Sequence, residues 1–185
     1  IVVLADDMGY SDIGIFGSEI KTPNLDALGK KGVAFTQFYN AGRCCPSRAS
    51  LLTGMYPHQA GMGLMVNTGK YDHSKAYQPY QGFLSLETPT IAEELRKNGY
   101  QTYMSGKWHV GEQQEEWPNQ RGFDHYFGLI SGATSYYEVL SNRQLIEDNK
   151  KYIPSDQFYM TDAISEKAIS YIKSANSKNP FFLYV

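Results

Sequence analysis

Little in this sequence can crosslink it. Only two of 185 residues are cysteine, and they are adjacent, Cys44 and Cys45. A disulfide framework and a four-cysteine zinc site are both excluded. A bridge between the two is disfavoured, because neighbouring Cα atoms lie about 3.8 Å apart, short of the roughly 4.4–6.8 Å that disulfides span. Long apolar runs are also missing. The longest, IVVLA at the start and FFLYV at the end, fall well below the roughly 18 residues of a membrane span. There is no Lys/Arg block, and 17 basic against 19 acidic residues give a net charge of −2. That balance argues against nucleic acid or an anionic membrane as the main partner. There is no internal repeat. What is present, 42% hydrophobic and 19% charged residues, is enough to bury a core.

Strand and helix signals alternate along the chain. Ile1-Val2-Val3-Leu4 and Phe181–Val185 are continuous apolar runs, which predict fully buried strands. Polar, frayed termini are the norm, so apolar strands at both ends predict that 1–185 is the N-terminal part of a longer protein. Thr22-Pro23 predicts a helix start and Gly32 its end after Lys31. Val33–Phe38 reads as a strand. Thr88-Pro89-Thr90 opens a helix that Asn98-Gly99 stops. Tyr100–Met104 reads as a strand, and Phe158–Ser174 has helical periodicity. Segments 62–85 and 110–157, rich in Gly, Tyr, Gln and Asn, read as long loops, which in such folds usually carry function. The rhythm predicts an α/β fold with a largely parallel sheet.

The chemistry-bearing residues follow strands. Asp6-Asp7 comes directly after the first apolar run, and ligands of open α/β sheets bind at the carboxyl ends of strands. Two adjacent carboxylates repel unless a cation compensates, and oxygen-only ligands suit a hard cation. A solvated turn with a helix cap reads the same residues without a metal. In the run from Cys44 to Gly54, Pro46 predicts the first turn of a helix that Gly54 ends. Cys44 then lies near a helix N-terminus, where unpaired N–H groups favour an anion. Arg48 falls one turn further on the same face. As small buried hydrophobes, the two cysteines would carry no chemistry. Lys107 and His109 follow the Tyr100–Met104 strand, and alternate residues of an extended chain point the same way. His58, His73 and His125 read as structural, while Tyr136-Tyr137 is a candidate pocket lining.

Cys44-x-Pro46-Ser47-Arg48 followed by Leu52-Thr53-Gly54 resembles the signature of type I sulfatases, whose first cysteine is oxidised to Cα-formylglycine. Asp6-Asp7 with Gly9-Tyr10-x-Asp12 resembles that family's first metal motif. Thr22-Pro23-Asn24-Leu25-Asp26 is similar to its following helix, and Gly106-Lys107-Trp108-His109-x-Gly111 to its second signature.

The resemblance implies an alkaline-phosphatase-like fold, a mixed sheet sandwiched by helices, completed by a smaller C-terminal domain. It implies hydrolysis of a small-molecule or carbohydrate sulfate ester to an alcohol and inorganic sulfate. Residue 44, modified by a formylglycine-generating maturase, would be the nucleophile, with Arg48, Lys107 and His109 as the other catalytic residues. Asp6, Asp7 and residue 44 would bind Ca²⁺, with Mg²⁺ as the alternative. A second histidine, a further lysine and an Asp-Asn pair of the family pattern do not occur before Val185. The family works outside the cytoplasm, in periplasm, lysosome or medium. Two other readings are a phosphate or phosphonate monoester hydrolase of the same superfamily and a non-catalytic binding homologue.

Overall fold

A computed structural model describes residues 1–66 and 78–185. The chain divides into two compact units, one made of Ile1–Val3 with Ala41–Val185, the other of Leu4–Asn40.

The larger unit is a five-stranded mixed sheet. Its strands are β1 (Gln101–Ser105), β2 (His125–Leu129), β3 (Leu145–Glu147), β4 (Lys150–Lys151) and β5 (Phe181–Tyr184), in the order β4-β3-β2-β1-β5. β1 pairs in parallel with β2 and β5, placing Tyr103 opposite both His125 and Leu183. β3 and β4 add antiparallel pairings, so the sheet is less uniformly parallel than the strand–helix rhythm predicts. Alternation along the strands separates two faces. Tyr103, Phe127 and Leu183 pack with Met160, Ala168 and Tyr171 of helix α4 (Met160–Ser174). On the other face, Tyr184 meets helix α2 (Cys44–Thr53) through Arg48. Helix α3 (Ile91–Lys97) packs on β1 and α2.

Capping residues define the helices. Thr90 accepts from the Glu93 amide while Glu93 accepts from that of Thr90, a reciprocal box that satisfies two helix-end donors of α3. α2 begins at Cys44, two residues before the predicted proline. Pro46 fits its first turn because no amide there has an intrahelical partner, and Gly54 closes the helix in the left-handed region at φ 69°. A buried Arg121 ties the loops together, donating to the carbonyls of Leu84, Ser85 and Thr88 and to the Glu93 carboxylate.

Three expectations are corrected. Ile1–Leu4 is not a fully buried strand: Val2 alone bridges to Tyr184, and Ile1 and Val3 are 66% and 70% exposed. One edge partner and one contacted face leave alternate side chains in water. Segment 110–157 is not all loop, since β2 and the β3–β4 hairpin lie within it. Its buried run Tyr126–Ile130 is interrupted by Gly128, which has no strand propensity but is required there. A Cβ at Gly128 would collide with the Gly106 carbonyl, and its φ is 157°. Val33–Phe38 forms no strand; Val33, Phe35 and Phe38 are exposed, because apolar residues without a pairing partner have no ladder to join.

The smaller unit holds helix α1 (Pro23–Lys31), N-capped by Thr22 and ended by Gly32 as the sequence predicts. Asp26 anchors it locally, accepting from the Ile15 amide and from the Thr22 hydroxyl, both at 2.9 Å. Part of the predicted loop 62–85, with His73, lies outside the described residues; of the rest, Gln78–Tyr80 forms a single helical turn.

Candidate active site

The first turn of α2 presents Cys44 and buries Cys45. One turn on, Arg48 is only 4% exposed. Its guanidinium donates to the Lys107 carbonyl at 2.5 Å and to the Tyr184 hydroxyl at 3.3 Å. Buried cations are costly unless satisfied, and these acceptors fix this one behind residue 44. Lys107 in turn places its ammonium 3.2 Å from the Cys44 sulfur. Thus Cys44 and Arg48, one helical turn apart, form one connected cluster with Lys107, which lies 63 residues beyond Cys44 in sequence.

The chain leaving β1 runs on beside the end of β2. The Gly106, Trp108 and His109 amides donate to the carbonyls of Phe127, Leu129 and Ile130. Trp108 is fully buried, donating from its indole to the Glu116 carbonyl and meeting Phe123 edge-on, so it is a packing anchor between Lys107 and His109. His109 is buried in the left-handed region at φ 57°, with its imidazole against Gly132; a Cβ there would fall 2.6 Å from Nε2. Among the described residues, four non-glycines have positive φ: Asp7, His109, Asp148 and Asn149. Asp148 and Asn149 make the β3–β4 turn, where such a conformation is standard. Asp7 and His109 have no hairpin to explain it, and such outliers cluster at functional sites.

Charge around the cluster is shaped by burial. Desolvation pushes the Cys45 thiol up to about 11, against a smaller opposing effect of the Val66 amide that donates to its sulfur. Cys45 is thus held as a neutral thiol, apart from the chemistry of its half-buried neighbour Cys44. Burial also raises the Tyr126 phenol well above its usual range; its hydroxyl donates to the Gly106 carbonyl. Glu112, beyond His109, is raised by burial too, with Arg143 acting in the other direction.

Asp6 and Asp7 are exposed and belong to the Leu4–Asn40 unit. Nearby, the Asp12 carboxylate accepts from the Gly9 amide at 2.7 Å and so turns inward on its own loop. Two adjacent carboxylates match a hard cation in donor type but fall short of its six to eight ligands. Among the described residues, no group of three or more His, Cys, Asp or Glu forms a metal cluster.

Two of the remaining histidines are accounted for. His125 pairs with Asp148 at 2.9 Å and lies roughly parallel to the stacked pair of Tyr103 and Tyr171, with centroids 5.9 and 6.1 Å away. His58 meets Tyr80 edge-on and lines a cleft of about 640 Å³ with Arg43 and Pro46 beside the α2 start. Sequence reasoning passed over Tyr184 and Gly132. Tyr184 carried a signal, as a polar tip on an otherwise apolar strand; Gly132 carried none.

The whole chain, residues 1–185, matches the sulfatase family. The chain belongs to the sulfatase family. It is 37% identical to the arylsulfatase of Klebsiella aerogenes over 193 residues, covering all of this chain and 41% of that protein. The crystal structure of Ps i-CgsB in complex with k-i-k-neocarrahexaose superposes with a TM-score of 0.85 at 33% identity, over 98% of this chain and 43% of the other. A structure in complex with its substrate D-glucosamine-2-N,6-O-disulfate gives 0.75 at 28%, over 98% and 32%. The mixed sheet between helices is therefore the N-terminal part of the alkaline-phosphatase-like fold of sulfatases. The chain spans well under half the length of these relatives. Among the described residues, no helix is long and apolar enough to cross a membrane.

Proposed function

We propose that the protein hydrolyses a sulfate ester to an alcohol and inorganic sulfate, with residue 44 as the nucleophile after a maturase oxidises Cys44 to Cα-formylglycine. The contact between the Lys107 ammonium and the Cys44 side chain, in a chain of this family, carries the reading. Hydrated formylglycine supplies two geminal hydroxyls, one to attack sulfur and one to release sulfate afterwards. Asp6, Asp7 and residue 44, with ligands from elsewhere, would hold Ca²⁺, which would supply Lewis acidity; Mg²⁺ would demand shorter, strictly octahedral ligation.

The chain's own groups do the rest. Lys107 binds an anionic oxygen of the ester beside residue 44. Arg48, immobilised by a carbonyl and a hydroxyl, offsets negative charge that grows at residue 44 without having to reorganise. His109 takes up a proton at an imidazole nitrogen, with its ring position set by Gly132. Trp108 excludes water between them. The same reading places the protein outside the cytoplasm.

The test pairs an aryl sulfate with the matching aryl phosphate, using full-length protein from a host with the maturase, and measures the mass of the peptide containing residue 44. Preferred turnover of the sulfate, with sulfur lost from residue 44, is expected. Preferred turnover of the phosphate, or sulfate turnover with an intact Cys44 thiol, overturns the proposal.

A further inference from the structure

The segment after β2 carries a feature that the cluster at residue 44 does not use. It leaves the site at Gly132, under the His109 ring, and a few residues later exposes Tyr136 and Tyr137 at 61% and 73%. Exposed rings set side by side mark an interaction surface. These two are not on a loose loop. The Tyr136 carbonyl accepts from the Met160 amide at 2.8 Å, at the start of α4. The Thr134 hydroxyl donates to the Glu138 carbonyl and accepts from the Leu140 amide, and the Tyr137 amide donates to Ser135. Tyr159, the α4 N-cap, packs on both rings, with centroids 5.9 Å from Tyr136 and 5.3 Å from Tyr137. The backbone thus holds three phenol rings in a preformed cluster.

The chemistry of that cluster selects its occupant. A pyranose ring presents a face of C–H groups and a rim of hydroxyls. Tyrosine answers both, with an apolar ring face and a hydroxyl at its edge. A rigid two-torsion side chain does so at low entropy cost. Between Gly132 and Tyr137 the backbone spans at most about 17 Å, within the reach of a chain of linked sugars whose ester lies beside His109.

We propose that Tyr136, Tyr137 and Tyr159 form a sugar-stacking subsite that holds the chain of a sulfated oligosaccharide, an inference that rests on the sulfate-ester reading above. In the full-length protein, Tyr136→Ala/Tyr137→Ala is compared with wild type on hexasaccharides of carrageenan, chondroitin sulfate and heparan sulfate, and on 4-nitrophenyl sulfate. Two lost ring contacts lower kcat/KM on the best hexasaccharide by about 10- to 100-fold, through KM. Turnover of 4-nitrophenyl sulfate stays within about twofold, and Tyr137→Phe keeps most of the hexasaccharide activity. Equal losses on both substrate types, no loss on either, or a wild type that cleaves the aryl ester but no hexasaccharide each overturn the subsite. Electrophoresis through gels containing the same polysaccharides separates the two readings. Retardation of wild type but not of the double variant, without any sulfatase turnover, supports the subsite and sinks the ester reading. Unretarded wild type sinks the subsite.

Discussion

The two units solve the problem of holding polar side chains differently. In the larger one, a buried guanidinium is satisfied by a carbonyl and a tyrosine hydroxyl, and the lysine whose carbonyl it holds reaches back to Cys44. Position and stability are the same contacts there. In the Leu4–Asn40 unit, Asp6 and Asp7 stand exposed on a loop tied by short-range bonds such as Gly9 to Asp12, while Phe35 and Phe38 are also in water. Side chains there can be altered at little cost to folding. The teaching is that in the first region function and stability fail together, and in the second they separate.

The largest effect sharpens the contrast within a single helical turn. Cys44→Ala is expected to reduce sulfate-ester turnover at least about a thousandfold, while Cys45→Ala keeps most of it. Equal losses in steady-state assays would contradict the choice of residue 44.

Next in size is the carboxylate pair. Asp7 sits at φ 56°, which asparagine tolerates better than alanine, so Asp7→Asn removes charge without adding strain. It is expected to lower Ca²⁺ content and activity by about 10- to 100-fold, with stability unchanged within about 0.5 kcal/mol. Added Ca²⁺ should partly restore EDTA-stripped wild type. A metal-free active enzyme, or rescue by zinc alone, breaks the contrast.

Arg48→Ala should fail in both respects at once. It leaves the Lys107 carbonyl and the Tyr184 hydroxyl without this donor and opens a buried space, costing about 2–4 kcal/mol in denaturant unfolding. Full stability with lost activity would show that position and folding are separable there after all.

The smallest effect is a pH dependence. Burial moves the Cys45 thiol from 9.0 to about 11, so the folded state holds this proton more tightly than the unfolded chain. That contribution is present in full below pH 9 and is lost as pH rises through 11. Unfolding curves should show wild type losing more stability across this window than Cys45→Ala; parallel profiles would show the thiol is not shielded.

What the sequence made legible follows the same division. Thr22, Thr90, Gly32 and Gly54 act through their own backbone neighbourhood, so α1, α3 and the end of α2 could be read locally. The one-turn spacing of Cys44 and Arg48 is also a local fact. Strands depend on partners, and there the reading failed in both directions. Val33–Phe38 looked like a strand and has no pairing partner, and Ile1–Leu4 keeps only the bridge from Val2, while β2 looked like loop and is central to the sheet. Its Gly128 makes sense only against Gly106. The acceptors of Arg48 were equally hidden, since a main-chain carbonyl leaves no trace in residue identity.

The close approach of Gly132 to His109 has a consequence for inheritance. No larger residue fits at 132 while the imidazole keeps its place, so the two positions are under one selection though separated along the chain. Lineages that retain the histidine should keep glycine at 132. Lineages that have lost the histidine release the constraint, and position 132 should then drift freely towards alanine and serine, a molecular fossil of discarded chemistry.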